Sequence, residues 1–224
     1  MNEPDSSLDR YAQRFRRLAA LGADQQAHQW QIDLAMDSSC RNRLIRIPTG
    51  FGKTFGLLGA WWWNRIVQRR DDWPRRLIWC LPMRVLVEQV AEEIEAALAR
   101  IGSAAADVRV HALMGGVEAG DWHLAPESEV VLVGTQDMLL SRAMNRGYAA
   151  PRARWPMDFG LLNQDCLWVM DEVQLMDVGL ATSGQLQAFR EQDTALRGPR
   201  RPCKTWWMSA TLQRRMVALT GFSR

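Results

Sequence analysis

The chain has 224 residues, 47% hydrophobic and 24% charged, enough to bury the core of one upper-middle-sized globular domain or one lobe of a larger protein, but cramped for two domains. No apolar run reaches the roughly 18 residues of a membrane span, and the N-terminal segment has no apolar signal stretch, so a cytoplasmic chain with no membrane partner is expected. A formal net charge of +3 is too small to announce a nucleic-acid binder by bulk electrostatics and leaves a local basic strip open.

The kind of cation says more. Of 28 lysines and arginines, only Lys53 and Lys204 are lysine, so each calls for a chemical reason. Cys40, Cys80, Cys166 and Cys203 lack CxxC spacing and form no zinc pattern with His28, His111 and His123; they are expected to be reduced and mostly buried.

In chain order, residues 1–9 are polar, contain Pro4 and are expected to fray. Residues 1–24 read as an N-terminal extension ahead of a single lobe at 25–224. Short apolar runs then alternate with helical patterns. The predicted strands are Leu44–Ile47, Leu77–Leu81, Val108–Ala112, Val130–Gly134, Leu167–Met170 and Thr205–Met208. Helices are predicted over Lys53–Gln68, Arg84–Arg100, Gln136–Asn145, Leu180–Glu191 and Leu212–Leu219, and none follows the third strand. The segment Gly147–Leu162, with Pro151 and Pro156, reads as an ordered loop or insertion. The fold class is α/β, with a mostly parallel sheet covered by helices on both faces.

Trp61, Trp62 and Trp63 fall on the first of these helices. Neighbours on a helix point about 100° apart, so at least one is expected to be exposed or to cover a further part of the protein, the others packing in the core.

The first chemical signal follows the first strand: Pro48-Thr49-Gly50-Phe51-Gly52-Lys53-Thr54. Strand, glycine-rich loop and helix start make an anion site. Thr49, Gly50 and Gly52 let backbone N–H groups turn around a phosphate, Lys53 meets the outer phosphate oxygens, and the Thr54 hydroxyl ligates Mg²⁺. Ile47 occupies the place of the first glycine in the strict form of such loops. The plain alternative is a glycine-rich turn.

Next, the apolar strand ending at Met170 runs into Asp171-Glu172-Val173-Gln174. Two carboxylates at a buried strand end require a cation. Opposite a phosphate loop, Asp171 would hold Mg²⁺ while Glu172 takes the proton of an attacking water; taken alone, the pair is a solvated strand end. Ser209-Ala210-Thr211 closes the last strand, where hydroxyls can bond the acidic segment or cap a helix.

Taken in order, PTGFGKT, LPMRVLVEQ, GTQDMLL, DEVQ and SAT resemble motifs I, Ia, Ib, II and III of superfamily 2 helicases, which use the Pro-Thr-Gly-x-Gly-Lys-Thr form of the loop. The resemblance implies a RecA-like P-loop lobe using ATP and Mg²⁺. It also implies that Gln31, after Trp30, reads the adenine edge; that Arg84, Gly115, Gly116, Thr135 and Gln136 lie along a single-stranded DNA path; and that Gln174, Ser209 and Thr211 couple the two sites. Relatives most often carry His where this chain has Gln174, which hydrogen-bonds but does not titrate near neutral pH.

LMGG, GTQDMLLSRAMNRGY and DEVQLMDVGLATSGQL are similar to the helicase part of the CRISPR-associated helicase-nuclease of type I systems, in its helicase-first arrangement. That likeness implies target DNA marked by a guide-RNA-directed interference complex as the partner, with the second RecA-like lobe and the nuclease absent from this chain. Another superfamily 2 translocase, and a non-catalytic nucleotide or nucleic-acid binding module, remain open as alternatives.

Overall fold

The computed structural model describes residues 6–105, 107–115, 120–148, 150–198 and 201–211. Among them, strands β1 (Arg43–Arg46), β2 (Arg76–Leu81), β3 (Arg109–Leu113), β4 (Val130–Thr135), β5 (Cys166–Met170) and β6 (Cys203–Ser209) form one sheet in the order β1-β6-β5-β2-β4-β3. Every pairing is parallel. All carboxyl ends therefore lie along one edge, where the glycine loop, the acidic pair and Ser209 are found.

The apolar strands bury both faces by alternation. Leu77, Trp79 and Leu81 of β2 pack with α1 (Ser7–Leu18), α2 (Gln29–Ala35), α3 (Lys53–Trp61) and α4 (Arg84–Ile101). Ile78 and Cys80 face the opposite layer of α5 (Gln136–Ala143), α6 (Trp155–Asn163) and α7 (Asp177–Arg197). The expected α/β sheet covered on both faces is what forms. Strand limits shift by a few residues, and α7 extends beyond the predicted Leu180–Glu191. The predicted helix at Leu212–Leu219 lies outside the described residues.

Three expectations need correction. Residues 7–9 are helical rather than frayed: the Ser6 hydroxyl accepts the Asp9 N–H at 3.2 Å and caps α1. Tyr11, Phe15 and Leu18, at i, i+4 and i+7, then enter the core. The segment Gly147–Leu162 is largely helical, a 3₁₀ turn at Arg152–Arg154 leading into α6. Pro156 sits in the first turn, where its missing N–H costs nothing, and the buried Asp158 carboxylate ties Arg142 and Arg154, each at 3.0 Å.

The third concerns the tryptophans, which are all buried, at 0%, 1% and 2% exposure for Trp61, Trp62 and Trp63. The predicted helix over Lys53–Gln68 changes to a π-helical turn at Trp62–Val67, and each ring finds a different neighbour. Trp61 Nε1 donates to Pro74 O at 2.8 Å and Trp62 Nε1 to Ala104 O at 3.2 Å. Trp63 meets the Tyr11 ring edge-on at 5.5 Å. Three side chains can point three ways and stay dry because structure surrounds this helix on all sides.

The close fit has a requirement at Gly56, where a Cβ would lie 2.3 Å from the Trp30 ring. Gly56→Ala is expected to lower stability by about 1–3 kcal/mol in urea unfolding. Gly160→Ala in α6, where a Cβ meets nothing within 4 Å, should instead gain about 0.5–1 kcal/mol. Equal midpoints for the two variants would refute tight α2–α3 packing.

Candidate nucleotide site

The loop between β1 and α3 leaves the sheet beside β6, with Ile47 N donating to Ser209 O at 3.3 Å. Gly50 and Gly52 take φ of +83° and +63°, left-handed values that disfavour a side chain. Gly52 is doubly constrained, since a Cβ there would lie 2.9 Å from Gln31 Nε2. The reversal starts α3 at Lys53, with Thr54 half-buried beside it and Thr49 exposed on the loop.

Lys53 reaches across the end of β6 to β5. Its Nζ lies 2.6 Å from Glu172 Oε1 and 3.8 Å from Asp171 Oδ1. Asp171 is fixed from three directions: its N–H donates to Cys80 O at 3.0 Å, Oδ2 accepts Trp79 Nε1–H at 3.2 Å, and Oδ1 accepts the Glu172 N–H at 2.8 Å. Burial lifts the Asp171 carboxyl above the ordinary carboxylate range, offset in part by the Lys53 charge and the Trp79 N–H. Glu172 holds a left-handed φ of +54°, a strain of about 1–3 kcal/mol that turns its side chain toward Lys53.

A hydrogen-bonded chain continues from Glu172. Gln174 Nε2 donates to Glu172 Oε2, Ser209 Oγ donates to Gln174 Oε1 at 2.8 Å, and Thr211 N donates to Ser209 Oγ at 3.1 Å. Lys53, Asp171, Glu172, Gln174, Ser209 and Thr211, scattered over the sequence, thus form one connected group.

Gln31 is buried, with Nε2 donating to Gly52 O at 3.0 Å and Oε1 accepting His28 N–H at 2.9 Å. Its amide fastens α2 to the loop. Arg84, exposed at the start of α4, and Gly115, half-buried after β3, lie with Thr135 and Gln136 at the ends of β2, β3 and β4. Thr135 is buried. The Gln136 amide oxygen is buried without a hydrogen-bond partner and points at Gly179, where a Cβ would lie 2.1 Å away. Gly116 lies outside the described residues.

Sequence reasoning missed Trp79, whose N–H touches Asp171 only because β2 and β5 are neighbours, and the ring pair of Phe51 with His28 at 5.3 Å beside the loop. Chemically, a half-buried ammonium, two carboxylates and a left-handed glycine loop ahead of a helix start suit a multiply charged oxyanion carrying a hard divalent cation.

A family model for DEAD/DEAH box helicases matches residues 26–219. The chain belongs to the DEAD/DEAH box helicase family. Its fold resembles that of the DUF1998 helicase MrfA bound to DNA and AMPPNP, with a TM-score of 0.67 at 16% identity over 99% of this chain and 29% of that one. Mss116p bound to ssRNA and AMP-PNP gives 0.61 at 17% identity over 99% of this chain and 44% of that one. The Hef helicase domain of Pyrococcus furiosus gives 0.57 at 14% identity over 88% and 36%. These likenesses establish the RecA-like lobe, and the chain spans less than half the length of each relative. No curated protein matches it in sequence. Among the described residues, no helix is long and apolar enough to cross a membrane.

In this helicase-family lobe the Trp79 N–H is a charge-assisted donor to a buried carboxylate. Trp79→Phe, which keeps the apolar packing, is expected to cost about 1.5–3 kcal/mol in chemical denaturation. An unchanged midpoint would mean that the contact contributes nothing.

Proposed function

We propose that this chain is the ATP-binding lobe, residues 25–224, of an ATP-dependent DNA helicase, and that it hydrolyses ATP to ADP and phosphate. The observation that carries the reading is the meeting of Lys53 with Asp171 and Glu172 over the glycine loop, from strands that are not neighbours.

In this reading the loop N–H groups from Gly50 to Thr54 and the start of α3 cradle the phosphates. Lys53 exchanges its carboxylate partner for phosphate oxygens, which frees Glu172 to take a proton from the attacking water. Asp171 and the Thr54 hydroxyl are hard oxygen donors that fit Mg²⁺, and Asp171, buried beside a second carboxylate, is short of positive charge. The ion supplies neutralisation of charge on the phosphate oxygens. Gln31 holds the loop in register with α2. Gln174, Ser209 and Thr211 pass the position of Glu172 to the end of β6. An arginine from a second RecA-like lobe, worth on the order of 10³–10⁵ in rate, would complete the site, so the chain alone is expected to turn ATP over slowly.

Arg84 and the starts of α4 and α5 would hold single-stranded DNA by its phosphates; the Gln136 amide, turned toward Gly179, would leave that contact to the backbone. The CRISPR setting is supported by LMGG, GTQDMLLSRAMNRGY and DEVQLMDVGLATSGQL. It implies a guide-RNA-directed interference complex as recruiter, with a nuclease acting beside the motor. MrfA bound to DNA supports a DNA substrate, while Mss116p bound to ssRNA keeps RNA as the second reading.

Calorimetric titration of AMP-PNP with Mg²⁺ tests the nucleotide site. Wild type should bind, Lys53→Ala should weaken binding about 10- to 100-fold, and chelation of Mg²⁺ should weaken it as well. Glu172→Gln should keep the affinity and lose residual hydrolysis. Equal heats for wild type and Lys53→Ala would refute the motor reading and leave a docking module. For the nucleic-acid side, Arg84→Ala should reduce the slope of log affinity against log salt on single-stranded DNA by about 1; an unchanged slope removes Arg84 from the path. An RNA preference in the same assay would replace DNA as the substrate, and failure of a guide-RNA complex on its target DNA to recruit the chain would remove the CRISPR part alone.

A further inference from the structure

At the opposite edge of the sheet, Cys166 opens β5 and Cys203 opens β6, and the two are register partners in the parallel pair. Both belong to the layer packed under α5, α6 and α7, so their side chains leave the same face. Neighbouring strands lie about 4.8 Å apart, within the roughly 4.4–6.8 Å between Cα atoms that a disulfide spans.

The two thiols differ in environment. Cys166 is fully buried, its Sγ 3.0 Å from Leu161 O and 3.1 Å from Gln164 O, a setting that keeps the proton on sulfur. Cys203 is half-buried and lines a cavity of about 740 Å³ between α6, α7 and the start of β6, with Phe159, Leu186, Phe189, Arg190 and Lys204 around it. Phe159 and Phe189 are 44% and 64% exposed, so the cavity is open to small solutes. The Arg190 guanidinium is fixed beside it by Asn163 Oδ1 at 2.8 Å and by the Trp168 ring at 5.0 Å. Lys204 is the second of the two lysines and follows Cys203 directly.

We propose that Cys203 and Cys166 are an oxidation site that a small peroxide converts to a disulfide joining β5 to β6. Cys203 supplies the attacking thiolate. Burial opposes its ionisation, and the Cys166 thiol, Arg190 and Lys204 outweigh that penalty, bringing Cys203 below the ordinary thiol value. Burial pushes the thiols of Cys40 and Cys80 upward.

The Cys203 sulfur attacks one peroxide oxygen: an S–O bond forms, the O–O bond breaks, and the leaving oxygen departs as water or alcohol after taking up a proton. The Cys166 sulfur then attacks the sulfenic sulfur, the S–S bond forms, and hydroxide leaves as water with the Cys166 proton. Two thiols lose two electrons and the peroxide gains them. Asp171, Glu172 and Ser209 lie at the far ends of the same strands, about 16–20 Å away. The pair therefore stands or falls independently of the nucleotide site.

Peptide mapping of the native wild-type chain tests the proposal without relying on a variant that folds. With limiting N-ethylmaleimide at neutral pH, Cys203 should be alkylated about tenfold faster than Cys40 or Cys80. After stoichiometric hydrogen peroxide and quenching, a peptide pair linked through Cys166 and Cys203 should appear and vanish on reduction. Cys203→Ser should abolish the link and leave Cys166 as a free thiol. Alkylation of Cys203 no faster than of buried Cys80, or oxidation of Cys203 to sulfinic acid with no link to Cys166, would overturn it.

Discussion

Three charges that burial alone would not allow, Lys53, Asp171 and Glu172, stand together at the edge of the sheet because each supplies what the others lack. Removing a carboxylate or ammonium from water costs several kcal/mol per ion even after relaxation, and no one of these groups could lie there unaccompanied. Lys53 compensates both acids in part. The Trp79 indole, the Glu172 amide and the Gln174 amide then satisfy the remaining carboxylate oxygens. The group still carries one more negative than positive charge. A left-handed Glu172 and two left-handed glycines in the loop are tolerated because the surrounding bonds over-determine them.

That cluster depends on strand order. β1 and β5 never pair; β6 separates them, so Lys53 must come off a tightly turned helix start to bridge the gap. The order also sorts the candidate residues. The glycine loop, the acid pair and Ser209 lie at the carboxyl ends of β1, β5 and β6, whereas Arg84, Gly115 and Thr135 lie at those of β2, β3 and β4. β2 borders both groups. It accepts the Asp171 N–H through Cys80 and donates to Asp171 through Trp79, and five residues after Trp79 it delivers Arg84. On the proposed reading, a displacement of the acid pair on nucleotide binding meets the nucleic-acid side first at this strand.

How much of this was legible in the sequence depended on whether the signal was local. The strands announced themselves as apolar runs because both faces of the sheet are covered, and the loop at Lys53 stood out against an arginine-rich background. Helix α1 was missed although Ser6, Tyr11, Phe15 and Leu18 carry its cap and spacing, because the polar opening with Pro4 read as a frayed end. Helix α6 was hidden by Pro156, a residue that suits a first turn as well as a loop. The burial of all three tryptophans needed knowledge that layers close around the π-helical turn from several sides. Trp79 was beyond reach for a similar reason: its partner is set by the adjacency of β2 and β5, which are separated by more than eighty residues of chain.

The arginine bias itself finds a physical use in the fold. Arg100 clamps Leu18 O with two nitrogens at 3.0 and 2.7 Å, Arg76 joins Gln164 O at 3.0 Å to Pro126 O at 2.6 Å, and Arg142 meets Asp158 under full burial. A rigid, planar guanidinium fork aims its N–H donors at fixed angles, which suits it to fastening one segment to another. At residue 53 such a fork would be too broad, for it would bind one carboxylate bidentately and lock the acid pair in place. A compact ammonium with three rotatable donors can rest on Glu172 and exchange that partner for another oxyanion. The scarcity of lysine elsewhere in the chain then fits its presence there: on the proposed reading arginine fastens, and the cation at residue 53 has to let go.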